Sequence, residues 1–160
     1  MSMLPIVNEQ DEIIGYKDRA EITTQDIYRV SALWVTNSKG DILLAQRGLQ
    51  EAHDPGKWGP AVAGTVEKDE SYLDNILKEA EEEIGIKDIE FKAAVKRRHT
   101  DPYNYFTQWY TVVIDKPAKD FQIQKEELEG VRWYAREELA RELHEHPEQY
   151  LHLGWALEEL

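Results

Sequence analysis

The stretch from Ser71 to Ile84 constrains the fold more than any other part of the chain. At ~100° per residue, Leu73, Ile76, Leu77, Ala80 and Ile84 fall on one stripe, the spacing of a core-facing helix side. Ser71 is placed to cap this helix, with Asp74 three positions on in a capping-box arrangement, and Gly85 fits just past its end. A helix with one apolar side has to bury it, and the surrounding sequence supplies strands. Tyr28 to Thr36 and Asp41 to Arg47 flank the turn Asn37-Ser38-Lys39-Gly40, and Ile89 to Arg98 and Tyr105 to Ile114 flank Asp101-Pro102-Tyr103-Asn104. Trp58 to Val66 is short, rich in small residues and irregular. Leu4 to Val7 and Ile13 to Tyr16 predict an N-terminal hairpin over about residues 4–17. Val131 to Tyr134 reads as a short strand leading into a helix over Arg136 to His144, and Pro147 as the opening of a last helix ending near Leu160. Strands and helices are interspersed, so the expected class is α/β, and 160 residues suit one domain over 1–160.

The same helix carries the candidate chemistry. Glu79, Glu82 and Glu83 stand at i, i+3 and i+4, neighbours on one flank, while Glu81 points elsewhere. Each like-charge pair costs roughly 0.2–0.5 kcal/mol on an exposed helix, and acids in the last turn face the negative end of the helix dipole. A divalent cation reverses the sign of these terms, and hard oxygen ligands suit Mg²⁺ or Mn²⁺. On the triplet alone, a solvated acidic face is the simpler reading. The residues upstream change it: Gly64, then five residues, Glu70, then seven residues, then Lys78-Glu79-Ala80-Glu81-Glu82-Glu83-Ile84-Gly85-Ile86.

This segment, Gly64 to Ile86, resembles the Nudix box: Gly, five residues, Glu, seven residues, Arg-Glu, an aliphatic residue, any residue, Glu-Glu, any residue, Gly, an aliphatic residue. The one departure at a fixed position is Lys78 in place of Arg, which keeps the charge but lacks the planar two-pronged donor. The resemblance implies an α/β/α sandwich with a mixed sheet, and a loop–helix–loop box over 64–86. It implies a hydrolase that cuts a diphosphate bond, in a nucleoside diphosphate linked to another group or a similar small organic diphosphate. Glu79, Glu82 and Glu83 are then the metal ligands, with the Gly64 carbonyl beside them. A tight backbone turn at Gly64 is expected to aim that carbonyl. Glu70 and Gly85 are supporting residues, and Lys78 orients Glu79.

The catalytic base implied by the resemblance is a box Glu or an acid on a later loop, where Glu127 is the candidate and Glu126 and Glu129 its rivals, with a solvated acidic loop as the plain alternative. Phosphate also needs cationic donors. Arg47 at a strand end, Lys57 before Trp58, and Arg97 and Arg98 in the cluster Lys96-Arg97-Arg98-His99 are the candidates. Trp109 and Trp133 are assigned to the core.

Residues ahead of the box sharpen the likeness. Val7-Asn8-Glu9, Arg19-Ala20-Glu21-Ile22, Pro55-Gly56-Lys57-Trp58 and Ala61 to Thr65 resemble the branch that includes isopentenyl diphosphate isomerases and their hydrolase relatives. The isomerase works carbon acids with a Cys just before the box Gly; Ala63 stands there, and the chain has no Cys. Hydrolysis is therefore the expected activity, with a non-catalytic metabolite-binding or protein-binding module as the alternative and the isomerase as the remote one.

Composition narrows the partners. With 19 Lys and Arg against 32 Asp and Glu, the net charge of −13 disfavours binding to polynucleotides and anionic lipid. The absence of Cys excludes disulfides and thiolate-ligated zinc. The N-terminal residues carry no secretory pattern, and no run approaches the ~18 apolar residues of a membrane span. The expectation is a cytoplasmic protein acting on a small molecule, with homodimers common in the family it resembles.

Overall fold

The structure is a computed structural model and describes residues 2–160. Its centre is the β-branched and aromatic run Tyr28–Thr36, which forms the strand β3. Before it come β1 (Met3–Val7) and β2 (Ile13–Asp18), a separate two-stranded antiparallel hairpin. After it come β4 (Ile42–Arg47), β5 (Trp58–Pro60), β6 (Val62–Thr65), the helix α1 (Tyr72–Ile84), β7 (Lys92–His99), β8 (Tyr105–Val113), β9 (Leu128–Tyr134), α2 (Arg136–Glu145) and α3 (Gly154–Glu159).

The β3–β4 hairpin is zipped only at its turn end, where Val35 pairs with Leu43 and Thr36 with Ile42. Beyond those pairs it splays, and the β5–β6 segment fills the gap: Trp58–Pro60 pair with Leu44–Gln46, and Val62–Thr65 pair with Val30–Leu33. On their outer edges β3 runs parallel to β8, and β4 antiparallel to β9, with β7 beyond β8. The splay explains why the short, small-residue segment 58–65 is strand rather than irregular loop. It has a ready-made strand edge on each side, β4 for Trp58–Pro60 and β3 for Val62–Thr65.

Side chains on β3 alternate between two cores. Leu33 and Val35 pack with Leu43, Ile76, Ala80 and Ile84 under α1. Ala32 and Trp34 pack with Ile42, Leu44, Trp109 and Leu139 on the opposite side, where α2 and α3 lie. The result is the expected α/β/α sandwich. Trp109 is buried, while Trp133 is partly buried and donates its indole N–H to the Lys116 carbonyl.

Three expectations need correction. The last helix does not run from Pro147: one tight 3-10 turn over Pro147–Gln149 gives way to extended backbone at Tyr150, and α3 starts only at Gly154. Tyr150 forms a bridge to Trp58, and Leu151 N–H donates to the Trp58 carbonyl at 2.9 Å, so strand-like pairing interrupts the helix. Leu73 and Leu77 are not in the core but 44% and 42% exposed, because polar Asn75 and Glu83 share the buried side of α1 with Ile76, Ala80 and Ile84. Gly64 is not in a tight turn either; it lies in β6, opposite Ser31, and its requirement for glycine has another cause.

The N-terminal hairpin is tied to the rest along β1, where Val7 N–H donates to the Ile27 carbonyl at 2.9 Å, and at its tip by Asp11. Asp11, at φ 60°, accepts hydrogen bonds from Arg29 Nε at 2.8 Å, the Tyr72 hydroxyl at 2.8 Å and Lys96 Nζ at 2.6 Å. Burial alone would raise its pKa, but the bonds from Lys96, Arg29 and Tyr72 outweigh that and hold it below the ordinary aspartate range.

Candidate active site

The N-terminus of α1 is fixed by its capping box. Ser71 Oγ accepts from Asp74 N–H, and the Asp74 carboxylate accepts from Ser71 N–H, both at 3.0 Å. At the other end Gly85 takes the left-handed conformation (φ 70°) that closes the helix. Between these ends, Asn75, Glu79 and Glu83 follow one another at intervals of four, so they form a polar line along the side of α1 that meets β6.

This line is where helix and strand approach most closely. A Cβ built at Gly64 would stand 2.5 Å from Glu79 Cγ, 2.8 Å from Glu79 Cδ and 3.0 Å from Asn75 Oδ1. Glycine is required there so that the Glu79 side chain can lie flat against β6. Asn75, fully buried, accepts from the Ser31 hydroxyl and donates to the Thr65 carbonyl and the Glu70 carboxylate, both at 3.1 Å. Glu70 in turn accepts from the Glu67 N–H at 2.8 Å and pairs with Lys78 at 2.6 Å. Lys78 also pairs with Glu67 at 3.1 Å and comes within 3.9 Å of Glu79. Asn75 and Ser31 escaped the sequence reading. The available signal was a polar residue four positions before Glu79, on the border of the apolar stripe.

Carboxylate oxygens of Glu79, Glu83 and Glu127 lie within 4.8 Å of one another. Glu83 is buried, Glu79 half-buried and Glu127 exposed. Burial pushes Glu79 up to about 7; Lys78 opposes the rise, and the charges of Glu82, Glu127 and Glu70 add to it. Burial pushes Glu83 further, to about 9, helped by the charge of Glu79 and by a hydrogen bond shared with Glu127, against an opposing contact from the Ala63 N–H. Glu82 is exposed and outside this trio, although its charge reaches Glu79. Of the three neighbouring loop acids, Glu127 alone joins the cluster. Glu129 instead accepts the Leu49 N–H at 3.2 Å, and Glu126 stays on the surface. The Glu127 loop is braced by its own carbonyl, which accepts from Gly48 N–H at 2.8 Å.

Three crowded carboxylates, two of them desolvated, are a poor arrangement for an empty protein and a good one for a hard divalent cation, whose charge offsets both their repulsion and their burial. The donor set is all oxygen, which suits Mg²⁺ or Mn²⁺ and not a thiolate-seeking metal.

A cavity of about 320 Å³ opens beside Glu83. Ala63, Arg47, Lys57, Tyr105 and Trp109 are among its walls. Arg47 is held by its Nε–H to the His53 carbonyl at 2.9 Å, and Lys57 lies 3.7 Å from Asp54. Both cations thus face the same cavity as the buried acid. Arg97 and Arg98 do not. Arg98 pairs with Glu9 at 3.0 Å beside the hairpin, and Arg97 pairs with Glu159 at 3.0 Å and stacks 3.9 Å from the ring of Trp155. Alternation along β7 sends the two to opposite faces of the sheet, where Glu159 takes up Arg97 and Glu9 takes up Arg98.

A family model described as the NUDIX domain matches residues 27–153. The uncharacterized Nudix hydrolase PA4841 of Pseudomonas aeruginosa is 33% identical over 138 residues, covering 85% of this chain and 79% of that protein. The uncharacterized Nudix hydrolase YfcD of Escherichia coli is 28% identical over 135 residues, covering 84% and 74%. In fold, the chain matches DR0079 from Deinococcus radiodurans with a TM-score of 0.83 at 20% identity, over 98% of this chain and 97% of that one. A MutT NUDIX hydrolase from Burkholderia pseudomallei matches with a TM-score of 0.66 at 22% identity, over 82% and 96%.

Proposed function

Since the chain belongs to the Nudix family of hydrolases, whose members act on small molecules and generally use divalent metal ions, we propose that it hydrolyses the diphosphate bond of a nucleoside diphosphate linked to another group, or of a similar small organic diphosphate, with Mg²⁺ (or Mn²⁺). The observation that carries this reading is the clustering of Glu79 and Glu127 with Glu83, which lines a cavity together with Arg47 and Lys57. Glu79 and Glu83 would hold the cation, with Glu82 and the Gly64 carbonyl as further candidate ligands. A bound ion would offset phosphate charge and lower the pKa of a water molecule, so that once deprotonated it can attack phosphorus.

The protein's own groups divide the remaining tasks. Arg47 and Lys57 hold the diphosphate against the acids, so that attack proceeds from a fixed geometry. Glu127 takes the proton of the attacking water; it is the most exposed of the trio and can return that proton to solvent. Lys78 keeps Glu79 in place through its links to Glu67 and Glu70. Carbon-acid isomerisation is set aside, because Ala63 stands where the thiol acid would be needed and the chain has no Cys.

The test is turnover in the presence of Mg²⁺ of a panel of nucleoside diphosphate sugars, dinucleotide cofactors, ADP-ribose and nucleoside triphosphates, with products identified. Release of a nucleotide and a phosphorylated partner from at least one of them is expected. Folded protein that binds a nucleotide and cleaves none would replace this reading with that of a binding module.

A further inference from the structure

A second cavity, of about 360 Å³, adjoins the first. Its walls include Arg19, Thr23, Thr24, Thr65, Tyr103 and Asn104. The two cavities lie along one sheet face. Tyr28, Val30 and Ala32 point the same way from β3. The register sets Tyr28 opposite Tyr105, and Val30 between Thr107 and Thr65, while Ala32 stands between Trp109 and Ala63. Val30, Ala32 and Ala63 floor the cavity beside Glu83, and Tyr28 and Thr65 floor the second. What divides them is one contact above the floor. The Tyr103 hydroxyl lies 2.6 Å from His53 Nδ1, their rings edge to face at 4.7 Å. Tyr103 and Pro102 belong to both walls.

The far wall comes from chain that precedes the family-matching region, which starts at residue 27. Residues 19–24 are held there deliberately: Asn104 donates its amide to the Thr24 carbonyl at 3.1 Å, and Thr23 is tied to Asp26. Arg29, Arg47, Arg97, Arg98 and Arg132 sit in ion pairs, whereas Arg19, like Arg136 and Arg141, has none among the described residues, although its charge reaches Glu67. On a chain with a net charge of −13, Arg19 brings a guanidinium into a cavity whose walls include Thr23, Thr24, Thr65 and Thr100. Aromatic rings, hydroxyls and a planar multi-donor cation together recognise a polyhydroxylated ring.

We propose that this second cavity is the subsite for the group on the other side of the scissile diphosphate, that this group is a sugar-type polyol, and that Arg19 and Thr24 determine its selection. The inference rests on the hydrolase reading above. One end of the substrate occupies the cavity beside Glu83, the diphosphate lies at the acids, and the polyol reaches past Tyr103 to Arg19.

The experiment compares matched substrates, ADP-ribose against ADP and UDP-glucose against UDP, using the full chain with Mg²⁺ and the variants Arg19→Glu and Thr24→Val, both at exposed positions. The unaltered protein is expected to prefer the sugar-linked member of at least one pair. Arg19→Glu is expected to lower that preference, as a ratio of kcat/KM, by about tenfold or more, the loss residing in KM, with a smaller loss in Thr24→Val. An unaltered protein that turns over none of the four overturns the hydrolase reading and the subsite with it. Turnover without a sugar preference, or a preference unchanged in both variants, overturns the subsite alone.

Discussion

Gly64 and Glu79 are packed so closely that the first atom of any side chain at position 64 would fall 2.5 Å from Glu79 Cγ. The strand therefore sets the rotamer of the acid. Gly64→Ala is expected to push Glu79 off β6 and lower kcat/KM by about 10²-fold, the scale on which a misplacement of an ångström acts. The melting temperature should fall far less than the activity. Activity within a fewfold of the unaltered protein would show that Glu79 does not need that position.

Lys78 supports the same acid from the other side. Lys78→Ala is expected to reduce activity or metal affinity by roughly 10–100-fold, as loss of a group that orients a ligand does. Lys78→Arg is expected to retain activity, since a guanidinium can reach Glu67 and Glu70 as well. Kinetics against Mg²⁺ concentration would separate an effect on metal affinity from one on kcat.

The crowded acids also predict a stability response. Mg²⁺ at about 100 times its dissociation constant is expected to stabilise the fold by about 2.7 kcal/mol, a rise in Tm of several degrees, and a chelator should reverse it. Glu83→Gln is expected to abolish most of this response and to lose roughly 10²–10⁴ in rate. An unaltered thermal shift in that variant would remove Glu83 from the metal site.

The Asp11 clasp predicts an acid limit. Because its pKa is lowered by folding, its stabilising contribution is complete above the ordinary aspartate value and is lost as pH falls through the lower, folded value. Asp11→Asn is expected to cost about 2 kcal/mol at neutral pH, the range for hydrogen bonds to a charged group, and to flatten the fall of Tm between about pH 4 and the acid limit. Thermal melts across that range check the sign. Equal slopes in the two proteins would mean that other carboxylates govern the acid transition.

The helix α1 and its acids were legible because spacing alone fixes which residues share a helix side, and because the box ties that helix to Gly64 and Glu70 at fixed distances along the chain. Glu127 was legible only by resemblance, since nothing local distinguishes it from Glu126 and Glu129; the loop brace at Gly48 makes the choice. Arg97 and Arg98 were drawn toward the site by charge, but strand alternation and partners distant in sequence, Glu9 and Glu159, direct them elsewhere. The reason for glycine at position 64 lay in a neighbour fifteen residues away, which a turn-based reading cannot see. Pro147 is a helix opener by local rule, yet pairing of the Tyr150–Leu151 segment with Trp58 prevails over it.

The wall of residues 19–24 has a consequence for how such a protein changes over time. On the proposed reading, bond cleavage falls to β6, α1 and the Glu127 loop, while the outer compartment takes a wall from residues 19–24, which follow the hairpin. On that reading, changes in residues 19–24 would alter what the molecule accepts and leave the cleavage residues in place, so selectivity and reactivity would rest on separate stretches of polypeptide.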